Sequence, residues 1–238
     1  MGKNRRTLID YIYPPRCPIC DDILEGRKNF PCVKCYHKIS YIKSPRCMKC
    51  GKQLDDEYKE YCFDCVKKRH YYTRGIAVWS YQDSIKQSIY NFKYNNRRDN
   101  SKFYANEIIR IYGRMIKSWD VDVIIPIPIH KKRKQKRGFN QAELIAREIS
   151  NITKIPLATD ILVRNVNTKP QKELNDIERI KNLRDAFSVN PTTQNIKKAL
   201  LIDDIYTTGA TIDMCSKLLR ESGFREIYYV CVCTGKGF

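Results

Sequence analysis

Two groups of residues in this 238-residue chain have types and spacings that can do chemistry. The first is a set of cysteines near the start: Cys17/Cys20, Cys32/Cys35, Cys47/Cys50 and Cys62/Cys65 form four CxxC pairs. A CxxC turn sets two thiolates about one tetrahedral edge apart, and two such turns close a four-sulfur site of the kind Zn²⁺ prefers. A redox CxxC normally occurs once at a helix start, and iron–sulfur ligands follow other spacings. Eight cysteines so arranged therefore predict two structural zinc ions with every coordination position filled. Eleven residues separate each pair from the next, so spacing admits both sequential and interleaved pairing. Each of the first four cysteines recurs 30 positions later, and Pro15-Arg16-Cys17 returns as Pro45-Arg46-Cys47. A duplicated unit should carry its own complete site, which favours sequential pairing.

The second group is Leu200–Thr211, LLIDDIYTTGAT, an apolar run that stops on two carboxylates and continues into threonines and a glycine. Burying two unpaired carboxylates is costly, so Asp203 and Asp204 are expected at an open edge. A strand, a short loop with Gly209 and then a helix would set backbone N–H groups and the hydroxyls of Thr207, Thr208 and Thr211 around a helix N-terminus. That is an anion site suited to phosphate. The acids cannot hold the phosphate, so they would contact what it carries: vicinal hydroxyls, or a Mg²⁺ ion bridging them. Phosphate, diol and metal together suggest a ribose 5-phosphate. A third cluster, His130–Arg137, has six Lys or Arg in eight positions directly after an apolar run. It reads as a basic loop, either solvated or in contact with nucleic acid.

The elements that position these groups follow from periodicity. Gly75–Tyr81, Val121–Ile129, Ala199–Ile202 and Glu226–Cys233 read as strands. Between them run amphipathic helices, one capped by Ser84 with Ile85, Ile89 and Phe92 on one face, one with Ile108, Ile111, Tyr112 and Met115, then Gln141–Ser150 and Thr211–Ser222, the last stopped by Gly223. Strands alternating with helices predict a parallel α/β sheet with flanking helices, whose ligands bind at the carboxyl ends of the strands. The change of texture after Val66–His70 divides the chain into a double zinc module, 1–70, and an α/β domain, 71–238. Cys215, Cys231 and Cys233 read as small core residues.

The formal net charge of +19, from 45 Lys and Arg against 26 Asp and Glu, favours polyanionic partners, or else reflects an AT-rich genome. Lys34, Lys38, Lys43, Arg46, Lys49 and Lys52, with Tyr36 and Tyr41 among them, offer a nucleic-acid platform or a solvated face. No apolar stretch approaches the roughly 20 residues of a membrane span, and the first residues lack a signal-peptide core. A cytoplasmic protein with reduced cysteines is expected.

LLIDDIYTTGAT resembles the phosphoribosyl pyrophosphate (PRPP) signature of type I phosphoribosyltransferases. The resemblance implies a type I phosphoribosyltransferase-like fold in which Thr207, Thr208, Gly209, Ala210 and Thr211 wrap the 5-phosphate. Asp203 and Asp204 would then take the ribose hydroxyls with Mg²⁺. With the cysteine pairs, the Arg137-Gly138-Phe139-Asn140-Gln141 block and Gln171, Leu174, Arg179 and Asn182, most of the chain is similar to the ComF family of competence proteins. It departs from that family's pattern in its last residues, CVCTGKGF.

The resemblance implies a PRPP-binding protein of DNA uptake and natural transformation, with single-stranded DNA and the uptake machinery as partners. Lys131, Lys132, Arg133, Arg137 and Gly138 would face pyrophosphate, and Lys172 and Arg179 would form a lid. A hood over an acceptor would come from Tyr72–Tyr81 and the zinc module. The alternative is an active phosphoribosyltransferase that moves ribose 5-phosphate to a base or amine. Nothing in the sequence names the acceptor or a general base.

Overall fold

The computed structural model describes residues 13–24, 30–166, 185–191 and 196–235. Its centre is a four-stranded, all-parallel sheet in the order β1 (Arg74–Ser80), β6 (Glu226–Thr234), β5 (Lys198–Tyr206) and β2 (Val123–Pro126). These runs are apolar at nearly every position because both faces are covered, as parallel sheets require. Two short strands, β3 (Leu162–Arg164) and β4 (Phe187–Val189), pair antiparallel beside the sheet.

Side chains alternate across the sheet. One face carries Ile76, Val78, Leu200, Ile202, Val230 and Val232. It packs against α3 (Asp83–Tyr94), α4 (Asn100–Ser118) and α6 (Gln141–Thr153) through Ile89, Phe92, Ile108, Ile116, Ile145 and Ile149. The other face carries Ala77, Ile125, Leu201, Tyr229 and Cys231, and meets Ile212, Cys215 and Leu219 of α7 (Ala210–Glu221). Cys215, Cys231 and Cys233 are fully buried, as expected of small core residues.

The cysteine-rich segment is two copies of one hairpin. In the first, Cys17 N donates to Asp22 O at 2.8 Å and Leu24 N to Pro15 O at 2.7 Å; in the second, Cys47 N donates to Lys52 O at 2.8 Å and Leu54 N to Pro45 O at 2.9 Å. One-turn helices α1 (Val33–Tyr36) and α2 (Phe63–Lys67) follow the third cysteine of each copy. The copies take opposite faces of the sheet. Cys17, Ile19, Leu24 and Cys35 join the core under α3 and α4, and Cys47, Cys50, Leu54 and Cys62 join the core under α7. Their linker runs along the free edge of β1, where Ile42 N donates to Val78 O at 3.0 Å and Gly75 N to Lys49 O at 2.8 Å. An exposed strand edge invites aggregation, and here the zinc module covers it.

Three expectations change. Tyr72–Tyr81 is no hood, because β1 is paired into the sheet and Tyr72 is fully buried. The basic run is a helix, α5 (Lys131–Arg137): the His130 imidazole accepts from Lys132 N at the start, and Gly138, at φ 80°, ends it. Ser84 does not cap α3, whose N-cap is Gln82.

Candidate functional site

The eight N-terminal cysteines gather as two sequential sets, Cys17/Cys20/Cys32/Cys35 and Cys47/Cys50/Cys62/Cys65, the ligand atoms of each within 4.8 Å of one another. A tetrahedral site with Zn–S bonds of ~2.3 Å places sulfurs ~3.8 Å apart. Cys20 and Cys32 Sγ lie 3.8 Å apart and Cys50 and Cys62 Sγ 3.6 Å, so both sets fit zinc without rearrangement. All four positions of each are sulfur, which makes the sites structural.

The acid pair lies inside β5, not beyond its open end. Adjacent strand residues point to opposite faces, so the two carboxylates diverge. Asp204 is buried on the α3 side, where its Oδ2 meets Lys93 Nζ at 2.7 Å. Burial alone would lower the Lys93 ammonium's pKa, and Asp204 with Asp203 outweighs it, holding that pKa above the ordinary lysine value. Asp203 faces the α7 side. Burial, with Asp204 beside it, pushes its carboxyl pKa up to about 7. The Lys93 ammonium and the Arg164 guanidinium of β3 pull the other way, and Arg164 in turn senses Arg133 of α5. The acid pair, Lys93, Arg164 and the basic helix therefore share one electrostatic neighbourhood.

After Tyr206 the chain turns through Thr207 and Thr208, both exposed, to Gly209 at φ 76° and then into α7. A Cβ on Gly209 would overlap the Tyr206 ring, so the turn requires glycine. Asp203, the residues Tyr206–Thr211 and Ile212 line one concavity. The leading N–H groups of α7 have no carbonyl inside the helix to bond, which leaves donors for an anion. Thr208 Oγ1 accepts from Ala210 N at 3.4 Å.

Residues Lys131–Lys136 of α5 are exposed, and Arg137 donates to Tyr94 Oη and Gln141 Oε1. Arg98 lies over Phe139 and would be met by any side chain at Gly138. Lys172 and Arg179 fall outside the described residues. Of the proposed platform on the zinc module, Lys34, Tyr36, Lys38 and Lys43 are exposed. Lys52 is buried against Asp64 within the second ribbon, while Arg46 is turned onto Tyr112 and Tyr41 donates to Glu107 at 2.6 Å, so these two dock the module.

Sequence reasoning missed Lys93, Arg164 and a tyrosine cluster. Lys93 had a signal: a lysine eight residues after Ile85, on the stripe of Ile85, Ile89 and Phe92, needs an acid to meet. The tyrosines join the second ribbon to the glycine turn. Tyr229 Oη donates to Cys50 O at 2.9 Å, its ring stacks on Tyr206 with centroids 5.0 Å apart, and Tyr206 Oη meets Tyr72 Oη at 2.9 Å. No local pattern could reveal this, since the hydrogen-bond partners lie more than 100 residues apart in sequence.

Comparisons fit these observations. Residues 8–66 match the double zinc ribbon domain family. Competence protein F of Haemophilus influenzae is 37% identical over 108 residues, 44% of this chain and 47% of that protein. Competence protein ComFC of Bacillus subtilis is 27% identical over 147 residues, 62% of this chain and 58% of that one. DNA utilization protein YhgH of Shigella flexneri is 24% identical over 163 residues, 67% and 71% of the two chains. The chain thus spans 47% and 58% of the length of the two competence proteins. A purine phosphoribosyltransferase from Pyrococcus horikoshii superposes with a TM-score of 0.37 at 17% identity, over 56% of this chain and 73% of that one. Among the described residues no helix is long and apolar enough to cross a membrane.

Proposed function

This chain belongs to the ComF family and carries an N-terminal zinc module, and from that premise we propose that it binds PRPP with Mg²⁺ and serves DNA uptake in the cytoplasm. In this reading residues 1–70 form the double zinc module and 71–238 a phosphoribosyltransferase-like domain. Thr207, Thr208, Gly209, Ala210 and Thr211 take the 5-phosphate, and Asp203 and Asp204 take the ribose. Arg133 and Arg137, with Lys131, Lys132 and Gly138, face the pyrophosphate. Carboxylates suit a hard cation such as Mg²⁺. Asp204 is already engaged by Lys93, so Asp203 is the better placed to meet the metal. When bound, Mg²⁺ would neutralise pyrophosphate charge; the chain's own residues bind and orient.

The observation that carries the reading is the joint of β5 and α7: an acid pair, exposed threonines and a glycine turn leading into a helix N-terminus. The names of the relatives support the link to competence and DNA use, and the +19 charge suits a protein that meets single-stranded DNA. The enzymatic alternative needs an acceptor pocket beside Asp203.

Calorimetric titration of the zinc-loaded chain with PRPP and Mg²⁺ tests the proposal. Binding is expected in the native chain and should be lost in Thr207→Ala/Thr208→Ala, whose side chains are exposed, and in Asp203→Asn. Equal binding by native chain and variants, or none by the native chain, overturns it. Release of pyrophosphate on adding a base or amine would favour the enzyme.

A further inference from the structure

Away from the glycine turn, beside α7 and the second ribbon, lies a pocket of about 310 Å³ lined by Arg69, His70, Tyr71 and Arg220. Its volume is at the lower end of the range for ligand sites, ample for a phosphate with something attached. It shares no lining residue with the concavity at Thr207–Thr211.

His70 is the unusual member. Its side chain is 2% exposed, yet neither ring nitrogen completes a hydrogen bond. The Nδ1 atom stands 3.4 Å from Asp213 Oδ1, and the ring stacks on Tyr72 with centroids 4.8 Å apart. Buried polar groups are nearly always satisfied, and the Nε2 atom, which has no partner while the ring lines a pocket, points to a ligand.

The charges around it indicate which ligand. Asp213 is engaged by Lys68 at 3.4 Å. Arg69 and Arg220 are left to face the pocket, and a guanidinium fork matches phosphate oxygens. Arg220 is held in place by donating Nε to the Tyr71 carbonyl, and Tyr71 is 42% exposed at the rim, with Lys217 Nζ 5.5 Å from its ring centroid.

We propose that this pocket is a second anion site that takes the phosphate of a nucleotide. Arg69 and Arg220 bind its oxygens, His70 donates a hydrogen bond, and the Tyr71 ring lies against the base. The phosphate belongs either to a free nucleotide or to a single strand. The inference does not rest on the reading of the glycine turn.

The test titrates the zinc-loaded full chain with thymidine 5′-monophosphate, with inorganic phosphate and with a thymidine oligonucleotide, while NMR follows the His70 ring. Nucleotide binding is expected to fall at least tenfold in Arg69→Gln and further in Arg69→Gln/Arg220→Gln, to survive in Thr207→Ala/Thr208→Ala, and to move the His70 resonances. Arg69 is exposed, so its substitution leaves folding alone. Oligonucleotide binding that falls in step assigns the pocket to a strand; oligonucleotide binding that stays, with mononucleotide binding lost, assigns it to a free nucleotide. The proposal is overturned if the arginine variants bind the nucleotide as the native chain does, or if saturating nucleotide leaves the His70 resonances unmoved.

Discussion

The two zinc ribbons are copies in backbone and opposites in attachment. Even an unusual feature repeats: Asp21 and Gly51, 30 positions apart, stand at φ 70° and 71°. What differs is the neighbour. Asp21 forms an ion pair with Arg97 at 2.7 Å, and the carbonyl of Pro18 accepts from Ser88 and Asn100 on α3 and α4. A Cβ at Gly51 would stand 2.7 Å from Gly75 O and 2.9 Å from Ile76 Cα, because the second ribbon lies directly on β1. In the first set Cys20 is exposed and Cys32 half-buried; in the second Cys47, Cys50 and Cys62 are buried. The second ribbon also reaches the candidate site through Cys50, Tyr229 and Tyr206. Duplication supplied two identical scaffolds, and contact with the sheet gave each its own work.

The largest effect should come from the metals. Cys50→Ser is expected to lose the second zinc and destabilise the whole chain by on the order of 5 kcal/mol, since structural zinc binding is folding free energy. PRPP binding should go with it. Cys20→Ser should lose the first zinc at roughly half that cost. Zinc content and thermal melts decide, and equal losses would break the comparison.

Next come the matched backbone positions. Gly51→Ala combines a left-handed backbone with a clash on β1 and should cost ~3 kcal/mol. Asp21→Gly relieves the same backbone while losing a half-exposed ion pair, and should stay within ~1 kcal/mol of neutral. Denaturant midpoints measure both.

The acid pair tests whether the two faces behave differently at the site. Asp203, with its pKa pushed up to about 7, contributes stability at low pH that is lost as pH rises from about 4 through 7. Asp203→Asn should therefore stabilise the chain at pH 8 and leave it unchanged near pH 4. Asp204→Asn has the opposite sign, because it leaves Lys93 without its carboxylate. Melting curves across pH read both.

The smallest effect concerns charge. The second ribbon pairs Lys52 with Asp64 at 2.9 Å, and the equivalent positions 22 and 34 hold the reverse, Asp and Lys. Asp64 is 57% exposed, so Asp64→Asn should cost only ~1 kcal/mol. Lys52→Asp/Asp64→Lys should recover most of it if the copies are interchangeable there.

Much of the molecule was legible locally. The zinc ligands, the four strands of the parallel sheet and the β5–α7 joint follow from spacing and periodicity over a dozen residues. The basic run was misread as a loop although its signals were present, His130 before it and Gly138 after it. A run of like charges looks unhelical, yet it needs only one turn or two between two caps. The expectation of an open edge held for Asp203, which lines the concavity, and failed for Asp204, because sequence alone could not see Lys93 arriving from another element.

The sequence by itself determined which cysteines gather as metal ligands and which turn leads from a strand into a helix N-terminus, since both depend on chemistry within a few residues. The sequential pairing that the duplication favoured is the one the fold makes, while tertiary structure alone decided which face of the sheet each ribbon takes. It also decided which carboxylate is neutralised, and that His70 is buried beside two arginines. Those outcomes depend on distances between segments far apart in the chain, which packing sets and residue spacing does not encode.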